Sequence, residues 1–296
     1  MAVETNGVIH DIGYQRYTGP RLGRAYAVRS LYSHGLRTAF GLGRSAKAKI
    51  FPWIVVGLIT LVAAVLTAVR SQTGEVVVSY WEFPEGISLL VILFCAVVAP
   101  ELVSRDLRGG VLPLYFSRPL TRWDYALAKY AALVSAVFLL LAGPQLLMFI
   151  GGAFSVEGMS AVWHEFGDFA RGLAVTGVYA VTFAALAIVV ASLAGRRAVA
   201  AALIVALFLI TTPIFGVLMG IAYSGSETGE LTGQSLKLAQ LAGLVSPMTL
   251  VSGVGRWWFA TDDSVGPYGP LYGLVALAVV VVCVLLLLLR YRKVAR

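Results

Sequence analysis

The chain has 296 residues, of which 59% are hydrophobic and only 13% are charged, about half the charged share of an ordinary soluble domain. Several runs of about twenty apolar residues follow one another, the length that a helix needs to cross a bilayer. We therefore expect an all-α polytopic membrane protein, since the short alternating segments of a β-barrel are missing. The net charge of +8 then marks one side of a membrane, and no nucleic-acid partner is expected.

Residues 1–49 precede the first apolar run and form a predicted cytoplasmic N-terminal segment, too long and too polar for a cleavable signal peptide. From Leu22 the apolar residues recur at helical spacing, with one stripe through Val28, Tyr32, Leu36 and Phe40. This pattern predicts an amphipathic helix, either lying along the cytoplasmic membrane surface or packed on the underside of the protein itself.

Residues 50–296 form one predicted domain of six transmembrane helices. The predicted spans are roughly 50–69, 86–98, 130–153, 173–194, 198–223 and 271–289, of which the second is short. We expect a solvated outer loop around 157–171 and a longer outer segment, 224–270. Within that segment, 236–245 is semi-apolar and predicts a short re-entrant or interfacial helix, and 257–259 suits the aromatic belt of a membrane interface.

Charge decides the orientation of these six spans. One side of the predicted topology holds 19 of the 23 Lys and Arg residues, whereas ten of the 15 acidic residues lie on the other side. Because Lys and Arg accumulate in cytoplasmic loops, we expect both termini to be cytoplasmic and the protein to be a multi-pass protein of the plasma membrane.

A polar, basic stretch, 101–129, interrupts the apolar runs between spans two and three. Gly109 and Gly110 permit a sharp reversal, and Thr121 with Asp124 fits the capping box of a helix that continues into span three. The stretch is therefore predicted to be structured and joined rigidly to span three. A basic turn that only fixes the membrane topology remains the alternative.

This stretch resembles the inner loop of ABC-2-type permeases, the membrane subunits of certain ATP-binding-cassette exporters. Their pattern is an acidic residue, a glycine four positions later, a short apolar run, Ser-x-Pro-aliphatic-(Ser/Thr)-Arg, and a lysine that opens the next span. Here Asp106 and Gly110-Val111-Leu112 stand where the family usually has Glu and Gly-Thr-Leu. The residues that match the spacing are Asp106, Gly110, Leu112, Ser117, Pro119, Leu120, Thr121, Arg122 and Lys129.

The resemblance extends to the six-span layout, the amphipathic helix before span one and the long outer segment before span six. It implies a permease that couples to a separate cytoplasmic ATPase through residues 106–122, with the N-terminal helix as a connecting helix. A second permease copy or a related permease would complete the path, and ATP would be bound and hydrolysed by the partner. The coupling residues it implies are Asp106, Gly110, Leu112, Ser117, Arg118, Pro119, Thr121 and Arg122.

The sequence contains no GxxxxGK[ST] phosphate-binding loop, and we expect no catalytic residues and no directly bound cofactor. His164-Glu165 begins like a zinc-protease motif, but Asp168 stands in place of its second histidine, so no metal site is predicted. The predicted spans hold no charged residue beyond Lys129 at one end, which argues against an ion-coupled secondary transporter. That class stays open, because Thr211, Thr212 and Pro213 could bind sodium, as does a non-transporting membrane scaffold.

Overall fold

A computed structural model describes residues 19, 22–110, 112–117, 120–224, 233–259 and 265–294. Within these ranges every regular element is a helix, and no strand occurs. In chain order the α-helices are α1 (Arg24–Ala39), α2 (Ala46–Thr73), α3 (Phe83–Gly86), α4 (Ser88–Leu102), α5 (Ser104–Arg108), α6 (Leu112–Phe116), α7 (Arg122–Ser155), α8 (Met159–Leu193), α9 (Arg197–Ser224), α10 (Gly233–Ala242), α11 (Pro247–Phe259) and α12 (Gly269–Val294).

Six segments of the described chain are long and apolar enough to cross a membrane, which confirms the prediction of an all-α polytopic membrane protein. They are Ala46–Thr73, Ser88–Asp106, Arg122–Ser155, Met159–Leu193, Arg197–Ser224 and Gly266–Arg292. Successive crossings alternate in direction. The ends at Ala46, Asp106, Arg122, Leu193, Arg197 and Arg292 therefore share one side, here called the basic side; the other ends define the opposite side.

Two sequence predictions were wrong because charged residues were taken to end helices. The second span is not short, since α4 and α5 together carry it from Ser88 to Asp106, through the buried Glu101. The predicted loop at 157–171 is instead almost wholly helical, because α8 begins at Met159. In both places the carboxylate that seemed to mark a polar loop is paired with arginine, which allows a helix to carry it.

The six crossings form a bundle with a clear centre. The crossings of α4 and α8 are mostly buried by other helices, whereas those of α2, α9 and α12 expose most of their surface. Helix α7 packs between α2 and α8, and α1 packs along α7. The large exposed side chains of α2, α9 and α12 are chiefly apolar, as expected for surfaces that face lipid.

The segment before the last span forms a helical hairpin. Helices α10 and α11 meet at an angle of 110°, and Ser246 lies between them. The prediction of a short helix at 236–245 therefore found the first arm and missed the second, which contains the aromatic residues 257–259. The hydroxyl of Thr211 lies 3.2 Å from that of Ser246 and 2.9 Å from the carbonyl of Phe208, so span five is tied to the hairpin.

A buried polar network joins the helices on the opposite side. The guanidinium of Arg70 donates two hydrogen bonds to the carboxylate of Glu165, at 2.6 and 2.7 Å, and the Tyr80 hydroxyl donates to the same carboxylate. Gln145 donates to the Tyr80 carbonyl at 2.9 Å and accepts from Thr176 at 3.0 Å. Burial, and then the bond to Glu165, raise the pKa of the Tyr80 phenol, which stays protonated and keeps donating at neutral pH.

Glycine at position 172 makes the close approach of Tyr80 possible. A Cβ there would lie 2.9 Å from the backbone carbonyl carbon of Tyr80, closer than real Cβ atoms come. By contrast, a Cβ at Gly177 on the same helix would meet nothing within 4 Å. The segment that carries Tyr80 can therefore reach Glu165 and Gln145 only because residue 172 has no side chain.

We expect Gly172→Ala to lower the free energy of unfolding by about 1–3 kcal/mol, because the added methyl group displaces the Tyr80 backbone. Gly177→Ala is the matched control and should be neutral or stabilising by up to about 1 kcal/mol, since alanine favours the helix. Thermal unfolding of the purified protein in detergent measures both changes. Equal stability of the two variants would contradict the close packing at Gly172.

Candidate functional site on the basic side

The connection between spans two and three is structured, as the sequence predicted. Helix α5 ends at Gly109, and Gly110 has a φ of +61°, the left-handed conformation that glycine adopts readily. Helix α6 follows over Leu112–Phe116. The connection therefore reverses direction at Gly110 and holds a short helix of its own before α7 begins.

Asp106 is the main anchor of this connection. Its Oδ2 lies 2.8 Å from the ammonium of Lys129 on α7 and accepts a hydrogen bond of 2.8 Å from the hydroxyl of Tyr125. Lys129 is only 4% exposed and lies 5.4 Å from the centre of the Tyr125 ring. A buried ammonium needs a partner of opposite charge, so Asp106 and Lys129 fix the end of span two against the start of span three.

The start of α7 carries the predicted capping box. The side chain of Thr121 accepts from the backbone amide of Asp124 at 3.2 Å, and the carboxylate of Asp124 accepts from the amide of Thr121 at 2.9 Å. Arg24 of α1 reaches the same carboxylate with two hydrogen bonds of 2.7 Å. The cap therefore fixes the first turn of α7 and also joins it to α1.

Glu101 forms a second charged junction on the basic side. It is 9% exposed, and one of its oxygens lies 2.5 Å from Arg44, in an ion pair without hydrogen-bond geometry. Arg197 at the start of α9 contacts the other oxygen. One carboxylate on α4 therefore connects the turn before α2 to the beginning of α9.

The other predicted coupling residues differ in their surroundings. Leu112 is buried, whereas Ser117 is exposed and its hydroxyl donates to the carbonyl of Leu114. Arg122 donates to the carbonyl of Arg292 at 2.9 Å, which joins the start of α7 to the end of α12. Arg118 and Pro119 lie outside the described residues.

The four residues predicted to mark the face of the N-terminal helix all pack against the main hydrophobic core of the bundle. They are Val28, Tyr32, Leu36 and Phe40. Tyr32 also donates a hydrogen bond of 2.8 Å to the hydroxyl of Ser135 on α7. Of the two alternatives for this helix, the structure supports packing on the protein itself; contact with the membrane surface stays a prediction.

Sequence reasoning missed Glu101 as a junction and the buried pairing of Lys129. A signal existed in the charge pattern, because a carboxylate inside an apolar run must find a cation. The partner could not be named, since Arg197 lies far from Glu101 in the sequence. No group of three or more potential metal ligands occurs in the part of the chain that the structure describes. Neither a protein-family model nor a curated protein matches this chain.

We expect Lys129→Met to destabilise the protein by about 3–5 kcal/mol, because it leaves the carboxylate of Asp106 without its cation. The double variant Lys129→Met with Asp106→Leu should recover most of this loss, since no unpaired charge remains. Arg171→Met is the control, because its pair with Asp168 is largely exposed and should change stability by at most about 1 kcal/mol. Thermal unfolding in detergent is again the measurement. A single variant no worse than the double variant would refute the proposed burial of this pair.

Proposed function

We propose that this chain is the membrane-spanning permease subunit of an ATP-binding-cassette exporter. A separate cytoplasmic ATPase would bind the connection 106–122, and a second permease subunit would complete the translocation path. The observation that carries the proposal is the match of residues 106–122 to the inner loop of ABC-2-type permeases, in a chain that lacks an ATP-binding loop of its own. ATP hydrolysis belongs to the partner in this proposal.

The geometry of the connection supports a mechanical role. Asp106 ties its beginning to α7, and Thr121 caps the first turn of α7 at its end. Helix α7 has 34 residues, a length of about 51 Å. A force applied to the connection would therefore reach α7 directly and pass along one continuous helix through the membrane.

The proposal places the basic side in the cytoplasm, where an ATPase could bind. The excess of Lys and Arg on that side supports this orientation. Both described cysteines, Cys95 and Cys283, are buried, which leaves the native protein without accessible thiols in the described part of the chain. Introduced cysteines can therefore report the orientation without removing the native ones.

We expect Ser160→Cys to react with a membrane-impermeant maleimide in intact cells, and Ser117→Cys to react only after permeabilisation. Both positions are exposed, Ser160 at the opposite side and Ser117 on the basic side. The wild-type chain is the control and should remain unlabelled. The reverse pattern of labelling would place the connection 106–122 outside the cell and end the coupling proposal.

The exposed Leu114 on α6 offers a test of ATPase binding. Its side chain is 70% exposed, which is unusual for leucine within a structured connection, and it would contribute apolar area to an interface. We expect a P-loop ATPase to copurify with the wild-type chain from native membranes. Leu114→Glu should weaken that association by about 2 kcal/mol, the cost typical of a central interface residue.

Leu42→Glu is the matched control, because Leu42 is an exposed leucine on the same side but outside the connection. Thermal unfolding establishes that both variants remain folded, and the amount of copurified ATPase and its rate of ATP hydrolysis are then compared. The absence of any P-loop ATPase, or an equal loss in both variants, would refute coupling through this connection.

An ion-coupled secondary transporter is the second candidate, and the buried pair of Asp106 and Lys129 favours it. Ionisable pairs inside transmembrane helices are typical of proton pathways. The purified chain, reconstituted alone in vesicles with a pH gradient, would then conduct protons, and Asp106→Asn would abolish the flux. The exporter subunit would show no such flux without its ATPase.

A further inference from the structure

A large cavity opens on the basic side, between α1 and the chain around 101–120. Its volume is about 980 Å³, and its walls come from α1, from the connection 106–122 and from the adjoining ends of spans two and three. Two of its lining residues, Glu101 and Lys129, belong to membrane-spanning segments. The cavity therefore extends along the ends of two spans, at the level where lipid headgroups meet the bilayer.

The charges that line this cavity leave a cation without a partner. Its two carboxylates are already engaged, since Glu101 pairs with Arg44 and Arg197, and Asp106 pairs with Lys129. The guanidinium of Arg105, which also lines the cavity, is exposed and makes no ion pair or side-chain hydrogen bond with any residue in the described ranges. An anion beside Arg105 would meet a cation but no unpaired carboxylate.

Lys129 adds hydrogen-bonding capacity to the same wall. An ammonium group has three donors, of which the contact with Asp106 uses one. Because Lys129 is almost fully buried and lines the cavity, its remaining donors can be satisfied only by a group inside it. Phosphate oxygens accept several such bonds and also suit the planar guanidinium of Arg105.

The rest of the cavity is apolar and open. Leu22, Tyr26 and Leu114 line it with side chains that are 57%, 56% and 70% exposed. A free phosphate ion would leave these side chains uncovered, whereas a ligand with both an anionic headgroup and hydrocarbon would cover them. The combination of a cationic end and an apolar wall therefore matches an amphiphile, and a membrane protein is surrounded by anionic amphiphiles.

We propose that this cavity is a binding site for an anionic phospholipid, whose phosphate lies against Arg105 and Lys129 and whose acyl chains cover Leu22, Tyr26 and Leu114. A zwitterionic headgroup would bind less well, because both lining carboxylates are occupied and none is left for its ammonium group. The bound lipid would hold α1 against the connection 106–122. The site needs no ATPase, so it stands or falls separately from the exporter function.

Binding of phosphatidylglycerol to the full purified chain in detergent, measured by native mass spectrometry, tests the site. We expect phosphatidylglycerol to bind more tightly than phosphatidylcholine, and Arg105→Gln to weaken phosphatidylglycerol binding about fivefold, the effect of one basic residue near anionic lipid. Arg29→Gln removes the same charge from the exposed surface of α1, away from the cavity, and should leave binding unchanged. Inorganic phosphate should not compete, because it lacks the apolar part.

A second variant tests the apolar wall. Leu114→Asp should weaken the binding of long-chain phosphatidylglycerol more than that of a short-chain form, since only the former covers Leu114. Equal losses in the Arg105 and Arg29 variants would overturn the site in favour of general attraction to a basic surface, and equal affinity for both lipids would do the same. A disulfide between Tyr26→Cys and Gly7→Cys that forms regardless of lipid would instead assign the cavity to the chain's own N-terminal segment.

Discussion

The contact between Asp106 and Lys129 determines how the basic side is assembled. In a bilayer no water is available to solvate a buried ammonium, so Lys129 can lie inside the bundle only with a carboxylate at its side. Asp106 supplies that carboxylate from the last turn of span two, and Tyr125 completes its coordination. The short helix α6 and the reversal at Gly110 are thereby held between two spans whose relative position is fixed.

Three further contacts extend this junction across the basic side. Arg24 brings α1 to the cap of α7, Arg122 brings the end of α12 to the same turn, and Glu101 connects the starts of α2 and α9. The Tyr125 ring also packs edge-on against Tyr291 of α12, with their centres 5.1 Å apart. Every crossing thus has a polar or aromatic link to the neighbourhood of the connection 106–122, and on this side the spans are held by charge as well as by packing.

The parts of this fold that depend on local sequence could be predicted, and those that depend on distant pairing could not. The six spans follow from apolar runs, and the capping box of Thr121 and Asp124 follows from residues three positions apart. By contrast, Glu165 looks like a solvated loop residue, because its partner Arg70 lies 95 residues away. Once that pair forms, the carboxylate can enter a helix, which is why α8 begins 14 residues before the predicted span.

The same reasoning separates the two ends of the site. The capping residues could be found because hydrogen bonds within one turn constrain residue types at fixed spacing. Arg105 could not be singled out, since a basic residue near a span end is expected in any membrane protein. It is distinguished only by the surroundings that the fold creates, in which the neighbouring carboxylates already have partners.

The burial of the helices indicates how a displacement of the connection would spread. Helices α4 and α7 both contact the central α8, so they cannot move independently of it without breaking packing. The outer helices α2 and α9 have little buried surface, and their link to the connection runs through Arg44, Arg197 and the single carboxylate of Glu101. A shift of α4 would therefore act on the lipid-exposed helices through two ion pairs with one shared acceptor. Such a junction favours concerted movement of α2 and α9, because neither arginine can keep its partner if Glu101 leaves.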